Sequence, residues 1–184
     1  VWDNPHYKGY VLQYGFTMGV LFTYIASAPH VMQQHYGLSP MSFSLCFGIN
    51  AMAMAIASTM VGRFSSLEKA LHAGSHGMMP ASLLLAATLY GGGGFYLYEA
   101  SAILLLSATG ITFTASNALA MDSERGNAGT ASALLGAAGF AAGGIVSPLV
   151  SLGDILSSTS LLLLGGSLLA CLCRHPLPLR SLLY

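Results

Sequence analysis

Apolar residues fall along this chain in six long stretches separated by short polar breaks, at about 10–30, 41–62, 79–94, 100–121, 128–150 and 155–173. Most are close to the roughly 20 residues that cross a hydrocarbon core about 30 Å thick. A backbone in lipid has no water to satisfy its N–H and C=O groups, so each stretch is predicted to be a helix. The pattern predicts an all-α membrane protein, a six-transmembrane-helix bundle over 10–174, with a lead-in at 1–9 and a tail at 175–184.

Several boundaries carry their own chemistry. Ser39 before Pro40 has the form of an N-cap with proline in the first helical position. The run Gly91 to Gly94 ends the third helix, and Phe95, Tyr96 and Tyr98 behind it suit the headgroup layer. Asp154 stands where a helix N-terminus favours negative charge. Ser65 and Glu68 have capping-box spacing and Gly74 has the form of a stop, which predicts a short separate helix along one membrane face.

Basic residues set the orientation. Lys8 precedes the first stretch, Arg63 and Lys69 lie between the second and third, Arg125 between the fourth and fifth, and Arg174 and Arg180 follow the sixth. All fall on one side, and the three opposite connections hold none. The positive-inside rule then predicts a multi-pass protein of the cell (inner, cytoplasmic) membrane with both termini and the 63–77 and 122–127 loops in the cytoplasm. Asp3, Glu68, Asp122 and Glu124 share that side, Glu99 and Asp154 are expected at the outer boundary, and no carboxylate is expected at mid-membrane.

Composition agrees with lipid as the solvent. Charged residues make up 7% of the chain and hydrophobic ones 54%, with a mean hydropathy of +0.68, whereas soluble domains carry about 25% charged residues. A net charge of zero leaves nothing to attract nucleic acid. Cys46, Cys171 and Cys173 have no metal-ligand spacing and are read as reduced packing residues. His72 and His76 stand four apart without a third ligand, so no metal and no cofactor is expected. No cleavable signal precedes the first stretch, and an opening on Val1 is expected of a piece of something longer.

Small residues recur at helix-contact spacing: Gly15 and Gly19, Gly139 and Gly143, a row of Gly129, Ala133, Ala137 and Ala141, and the row Ala51, Ala55 and Thr59. In lipid such faces let helices approach closely, and Pro148 is expected to bend the fifth helix. Polar and aromatic residues form stripes: Tyr10, Gln13, Tyr14, Thr17, Tyr24 and Ser27 on the first helix, Asn50 on the second, Thr109, Thr112, Ser116 and Asn117 on the fourth. As a set they are expected to line a shared cavity.

Some of these segments resemble a known family. Phe22-Thr-Tyr-Ile-Ala-Ser-Ala-Pro29, Phe47-Gly-Ile-Asn-Ala51, and Asn127 to Gly136 continuing to Ser147-Pro148 resemble helices seven, eight and eleven of bicyclomycin-resistance-type (Bcr/CflA) multidrug efflux transporters of the major facilitator superfamily. Gly62-Arg63-Phe64 is similar to a basic motif that follows helix eight in many of them. The resemblance implies half of a major facilitator fold, the C-terminal half, in a protein that exports hydrophobic or cationic drug-like small molecules in exchange for protons. It also implies an N-terminal six-helix half as partner, with the proton-carrying acids mainly in that half. On this reading the substrate contacts are Tyr14, Thr17, Tyr24, Asn50, Thr109 and Phe113, whose rings suit flat or cationic compounds.

Two other classes remain. An intramembrane serine protease also needs about six helices but requires a histidine base within them, and no stretch after His30 contains one. The other is a standalone six-helix protein acting as a homo-oligomer, or an inactive transporter fragment.

Overall fold

The computed structural model describes residues 1–173, and within them the chain is helical with no strand. The expected tail at 175–184, with Arg180, and Arg174 before it lie outside the described residues. Six long helices follow one another: α1 Pro5–Pro29, α2 Pro40–Thr59, α3 Leu67–Tyr90, α4 Phe95–Ser123, α5 Ala128–Val150 and α6 Ile155–Leu172. Five of the helical segments, Pro5–His35, Pro40–Arg63, Phe95–Ser123, Arg125–Val150 and Ile155–Leu172, are long and apolar enough to cross a membrane. The sixth helix, α3, has the length, 24 residues, but begins with Glu68, Lys69, His72 and His76. At 1.5 Å per residue it is about 36 Å long, and it packs along α4 and α6.

The caps follow the local chemistry. The Ser39 side chain accepts from the backbone N–H of Ser42 at 3.2 Å, with Pro40 in the first turn of α2. Asp154 caps α6, where the Ser157 hydroxyl and N–H donate to it at 2.8 and 2.9 Å. Those bonds hold its carboxyl below the ordinary carboxylate range. Gly91 caps α3, and Gly92 follows at φ +64°, a turn geometry that suits a residue without Cβ.

Four boundaries differ from expectation, and the first is the start of α1 at Pro5, inside the expected 1–9 lead-in. The first helix runs past Pro29 into one π-wound turn, His30–His35, and Tyr36 anchors its end by donating to Gly93 O at 3.1 Å. The predicted short helix at 65–74 is the opening of α3 itself. Ser66 rather than Ser65 caps it, accepting from Lys69 N–H at 3.3 Å, and Gly74 continues the helix. Gly74 is a notch: a Cβ there would strike the Thr112 hydroxyl and come 2.9 Å from Thr112 N and 3.1 Å from Ala108 O of α4. The fourth helix starts at Phe95, one turn early, so Phe95, Tyr96 and Tyr98 belong to its first turn and Glu99 follows within it.

The packing order is not the chain order. α1 packs on α4, α5 and α6, and α4 packs on α1, α2 and α3, while α3 and α6 meet on the far side. Each triplet's first helix thus lies against the second and third helices of the other triplet. The two triplets exchange their first helices.

Close approach makes these contacts. In α5, Gly139 and Gly143 lie under the Tyr14 and Phe22 rings of α1, where a Cβ would come within 2.8 and 2.5 Å of them. In α4, Gly110 meets α2, where a Cβ would lie 2.6 Å from Met54 O. The Ser58 hydroxyl, bonded to Met54 O, also reaches Gly110 O at 3.2 Å. The other small-residue rows go unused: Gly129, Ala133, Ala137 and Ala141 of α5 are exposed, as are Ala51, Ala55 and Thr59 of α2.

Lys8, Arg63, Lys69 and Arg125 all belong to the end of the bundle where α1, α3 and α5 begin. At that end Asn4 Nδ2 donates to Ser123 O at 3.1 Å and to Glu124 Oε1 at 2.8 Å, tying the start of α1 to the α4–α5 turn. The Asn4 bond holds the Glu124 carboxyl below its usual range.

Gly74→Ala is expected to destabilise the chain by about 1–3 kcal/mol through overpacking. Gly136→Ala, where a Cβ meets nothing within 4 Å, is expected to be neutral or mildly stabilising. Unfolding in mixed micelles with rising SDS measures both.

Candidate functional site

The six candidate residues fall into two clusters and one unpaired couple. The first cluster joins three helices. Tyr24 of α1 is buried, its ring stacked on Phe47 of α2 at a centroid distance of 5.9 Å and 10° between planes. Its hydroxyl accepts from Asn50 Nδ2 at 2.8 Å. Asn50 is one of only two buried residues of α2, and its Oδ1 is buried without a hydrogen-bond partner among the described residues. Phe43 lies 5.6 Å from Phe47 and extends the aromatic row.

The second cluster lies nearer the basic end. Tyr14 of α1 and Phe113 of α4 meet at 5.1 Å and 33°, with Met18 and Leu135 packed nearby. Tyr14 is buried and Phe113 partly exposed.

Thr17 and Thr109 join neither cluster. Both are fully buried and their hydroxyls donate back to their own helices, to Gln13 O at 2.8 Å and Leu105 O at 2.7 Å. Thr112 and Ser116 do the same. In this conformation these four have no free hydroxyl donor, so much of the expected polar lining is internal to the bundle. Gln13 is the exception, donating across to Ala170 O of α6 at 3.1 Å.

A cavity of about 500 Å³ lies elsewhere, between α1, α5 and α6. Leu12, Phe16, Ala142, Ile145, Leu162 and Gly166 are among its lining, Thr23 gives it a polar side chain, and none of the six candidate residues reaches it. The Thr23 hydroxyl is itself bonded to Gly19 O. This is a largely apolar cleft that Tyr24 does not line.

His72 and His76 are exposed on one face of α3 with ring centroids 6.0 Å apart, and no group of three metal-capable side chains occurs among the described residues.

Two residues of the first cluster were missed by sequence reasoning. Phe47 was quoted only as part of a motif, although its spacing of three before Asn50 puts both on one face. Glu99, expected only as an acid at the outer boundary, lies in the first turns of α4. Its carboxyl oxygens are buried, and Asn50, Tyr24, Tyr98 and Cys46 lie within its electrostatic reach. The signal was Gly94 followed by three aromatic residues, which starts the helix a turn earlier and draws Glu99 into it.

Comparison with known proteins gives a family. A sequence model of the Major Facilitator Superfamily matches residues 1–148. An uncharacterized MFS-type transporter, YdgK, of Bacillus subtilis (strain 168) is 38% identical over 152 residues, covering 80% of this chain and 38% of that protein. The chain therefore spans well under half the length of this relative. No solved structure matches.

Tyr24→Phe removes the acceptor of the Asn50 amide and is expected to cost about 0.6–1.7 kcal/mol, the range for inter-helix hydrogen bonds in bilayers. Thr23→Val, which removes a bond within one helix, is expected to cost less. SDS unfolding of each variant against the parent checks the difference.

Proposed function

The chain belongs to the major facilitator superfamily, and we propose that it forms the C-terminal half of a drug:proton antiporter exporting hydrophobic or cationic small molecules by alternating access. The observation that carries this reading is the swapped packing of the two helix triplets, together with aromatic and polar groups where α1, α2 and α4 converge. Half of a major facilitator protein rocks against its partner half around a site near the midplane. The Bcr/CflA-like segments supply the substrate class, because Phe22–Pro29 and Phe47–Ala51 contain Tyr24, Phe47 and Asn50.

Unfilled faces support a partner half. Met41, Leu45, Ile49, Met52 and Ile56, with Met60 just past its end, form an exposed row along α2 at steps of four residues with one of three. Only 17% of the apolar window of α2 is buried, against 67% for α1. Such a row suits the helices of an N-terminal six-helix half. On this reading both termini are cytoplasmic, and the protein acts in the cytoplasmic membrane.

Within the site, Tyr24, Asn50, Tyr14 and Phe113 are the contacts we assign to substrate. Stacked rings offer π-faces to flat or cationic compounds, at about 0.5–2 kcal/mol each. Thr17 and Thr109 are carried in the proposal as residues that a substrate meets only if α1 and α4 move, since their hydroxyls are engaged here.

Dye efflux from cells expressing the chain with and without a six-helix N-terminal half tests the proposal. Efflux is expected only from the paired halves and is expected to stop when the proton gradient is collapsed. Tyr24→Ala or Phe113→Ala should lower it roughly tenfold, a loss of about 1.4 kcal/mol. Undiminished efflux from this chain alone contradicts the half-carrier reading.

A further inference from the structure

Glu99 lies in the first turns of α4, four residues after Phe95. Both of its carboxyl oxygens are buried and neither has a hydrogen-bond partner among the described residues. Asn50 of α2 is close enough to act on the carboxyl but forms no bond of ordinary geometry with it. The Asn50 Oδ1 is a buried acceptor with no donor, while its Nδ2 is engaged by Tyr24. The Asn50 amide keeps a second N–H beside the carboxyl, but Asn50 Oδ1 and both Glu99 oxygens stay without a hydrogen-bond partner among the described residues.

No cation among the described residues offsets the carboxyl. From α1 the titratable group facing it is Tyr24, from α2 it is Cys46, and from α4 itself Tyr98. The π-wound turn adds Tyr36 against Tyr98 at 5.3 Å and His35 against Tyr36 at 4.6 Å, while His30 acts on Asp154. α3 carries Glu68, Lys69, His72 and His76 at its opposite end and ends in an exposed Tyr90. α5 has no ionisable side chain.

An ionised carboxyl buried without donors or a counter-charge is among the costliest arrangements in a protein, and neutralisation is its usual resolution. A proton on Glu99 removes the charge. It also furnishes the donor that Asn50 Oδ1 lacks. We propose that Glu99 is a proton-binding site, occupied in this conformation, and that Asn50 transmits its state to Tyr24.

The relay has two complete forms. With the proton bound, the Glu99 O–H donates to Asn50 Oδ1 and Asn50 Nδ2–H donates to the Tyr24 oxygen. When the proton leaves to water, a half-turn of the amide lets Nδ2–H donate to the carboxylate, and the Tyr24 O–H donates to Oδ1. No other proton is transferred, since Tyr24 keeps its own. The two forms differ in the direction of the Tyr24 hydroxyl beside the Phe47 ring. Proton binding here goes beyond the functional reading above, which left the proton-carrying acids to the other half, and it stands whether or not Tyr24 touches a substrate.

Infrared difference spectroscopy of the full chain in lipid nanodiscs, stepped from neutral to alkaline pH, tests it without any transport assay. A protonated-carboxyl band is expected at neutral pH and is expected to vanish on alkalinisation. Isotopic labelling of the glutamate carboxyls should shift it in the unmutated protein, where Glu68 and Glu124 are the other glutamates. Glu99→Gln, a neutral isostere, should abolish the band, and Asn50→Ala should move its frequency by removing the acceptor. Three results overturn the proposal: no such band at neutral pH, a band that survives in Glu99→Gln, or a band displaced by sodium at constant pH, which would make the site one for a metal cation.

Discussion

Close approach of helix backbones is the constraint on which the rest of this structure depends. Lipid tails are as apolar as leucine, so burying side chains against one another gains little by itself in a bilayer. What remains is dispersion at short range and hydrogen bonds sheltered from water. Glycine at 74, 110, 139 and 143 opens the surface of one helix to admit Thr112, Met54, Tyr14 and Phe22 of another. Those four contacts fix α4 against α3 and α2, and α1 against α5. The polar groups then follow: Ser58 reaches Gly110 O and Asn50 reaches Tyr24 only because the helices carrying them have been brought together.

The consequence is a division between closed and open surfaces. α1 and α4 are enclosed on several sides, while α2 and α5 each commit one narrow face and leave the other uncovered. An exposed methionine and isoleucine row costs nothing in lipid and equally little against another apolar helix. It is therefore a surface that can slide. The hydroxyls of Thr17 and Thr109 add no resistance to sliding, since their bonds stay within single helices. What resists it are the bonds that cross between helices, such as Asn50 to Tyr24 and Ser58 to Gly110.

Much of this was legible in the sequence, for reasons that are local. Apolar length, the Ser39-Pro40 and Asp154 caps and the Gly91 stop are decided by a few adjacent residues, and the helices start or end there. The opening of α3 was not legible. A run with polar residues on one side and Ala70, Leu71 and Ser75 on the other reads alike as a surface helix and as the polar start of a longer one. Only the meeting of Gly74 with Thr112 decides between them, and that is tertiary information. The rows of small residues fail as predictors for the same reason: Gly139 and Gly143 are buried under rings while Gly129 and Ala133 face outward. Glu99 shows how far a boundary error travels. Starting α4 five residues earlier puts Glu99 in its first turns, where both carboxyl oxygens are buried although the residue itself stays partly exposed.

The swapped packing of the triplets is tested most directly by paired cysteines in membranes, in a chain whose Cys46, Cys171 and Cys173 are replaced. Phe22→Cys with Gly143→Cys joins α1 to α5, and Gly77→Cys with Ala108→Cys, whose Cβ atoms would lie 3.4 Å apart, joins α3 to α4. Rapid disulfide formation at both pairs, with none between the midpoints of α1 and α2, is the predicted result. Failure of both pairs to link in folded protein, or linkage of α1 to α2 in their place, would contradict the account.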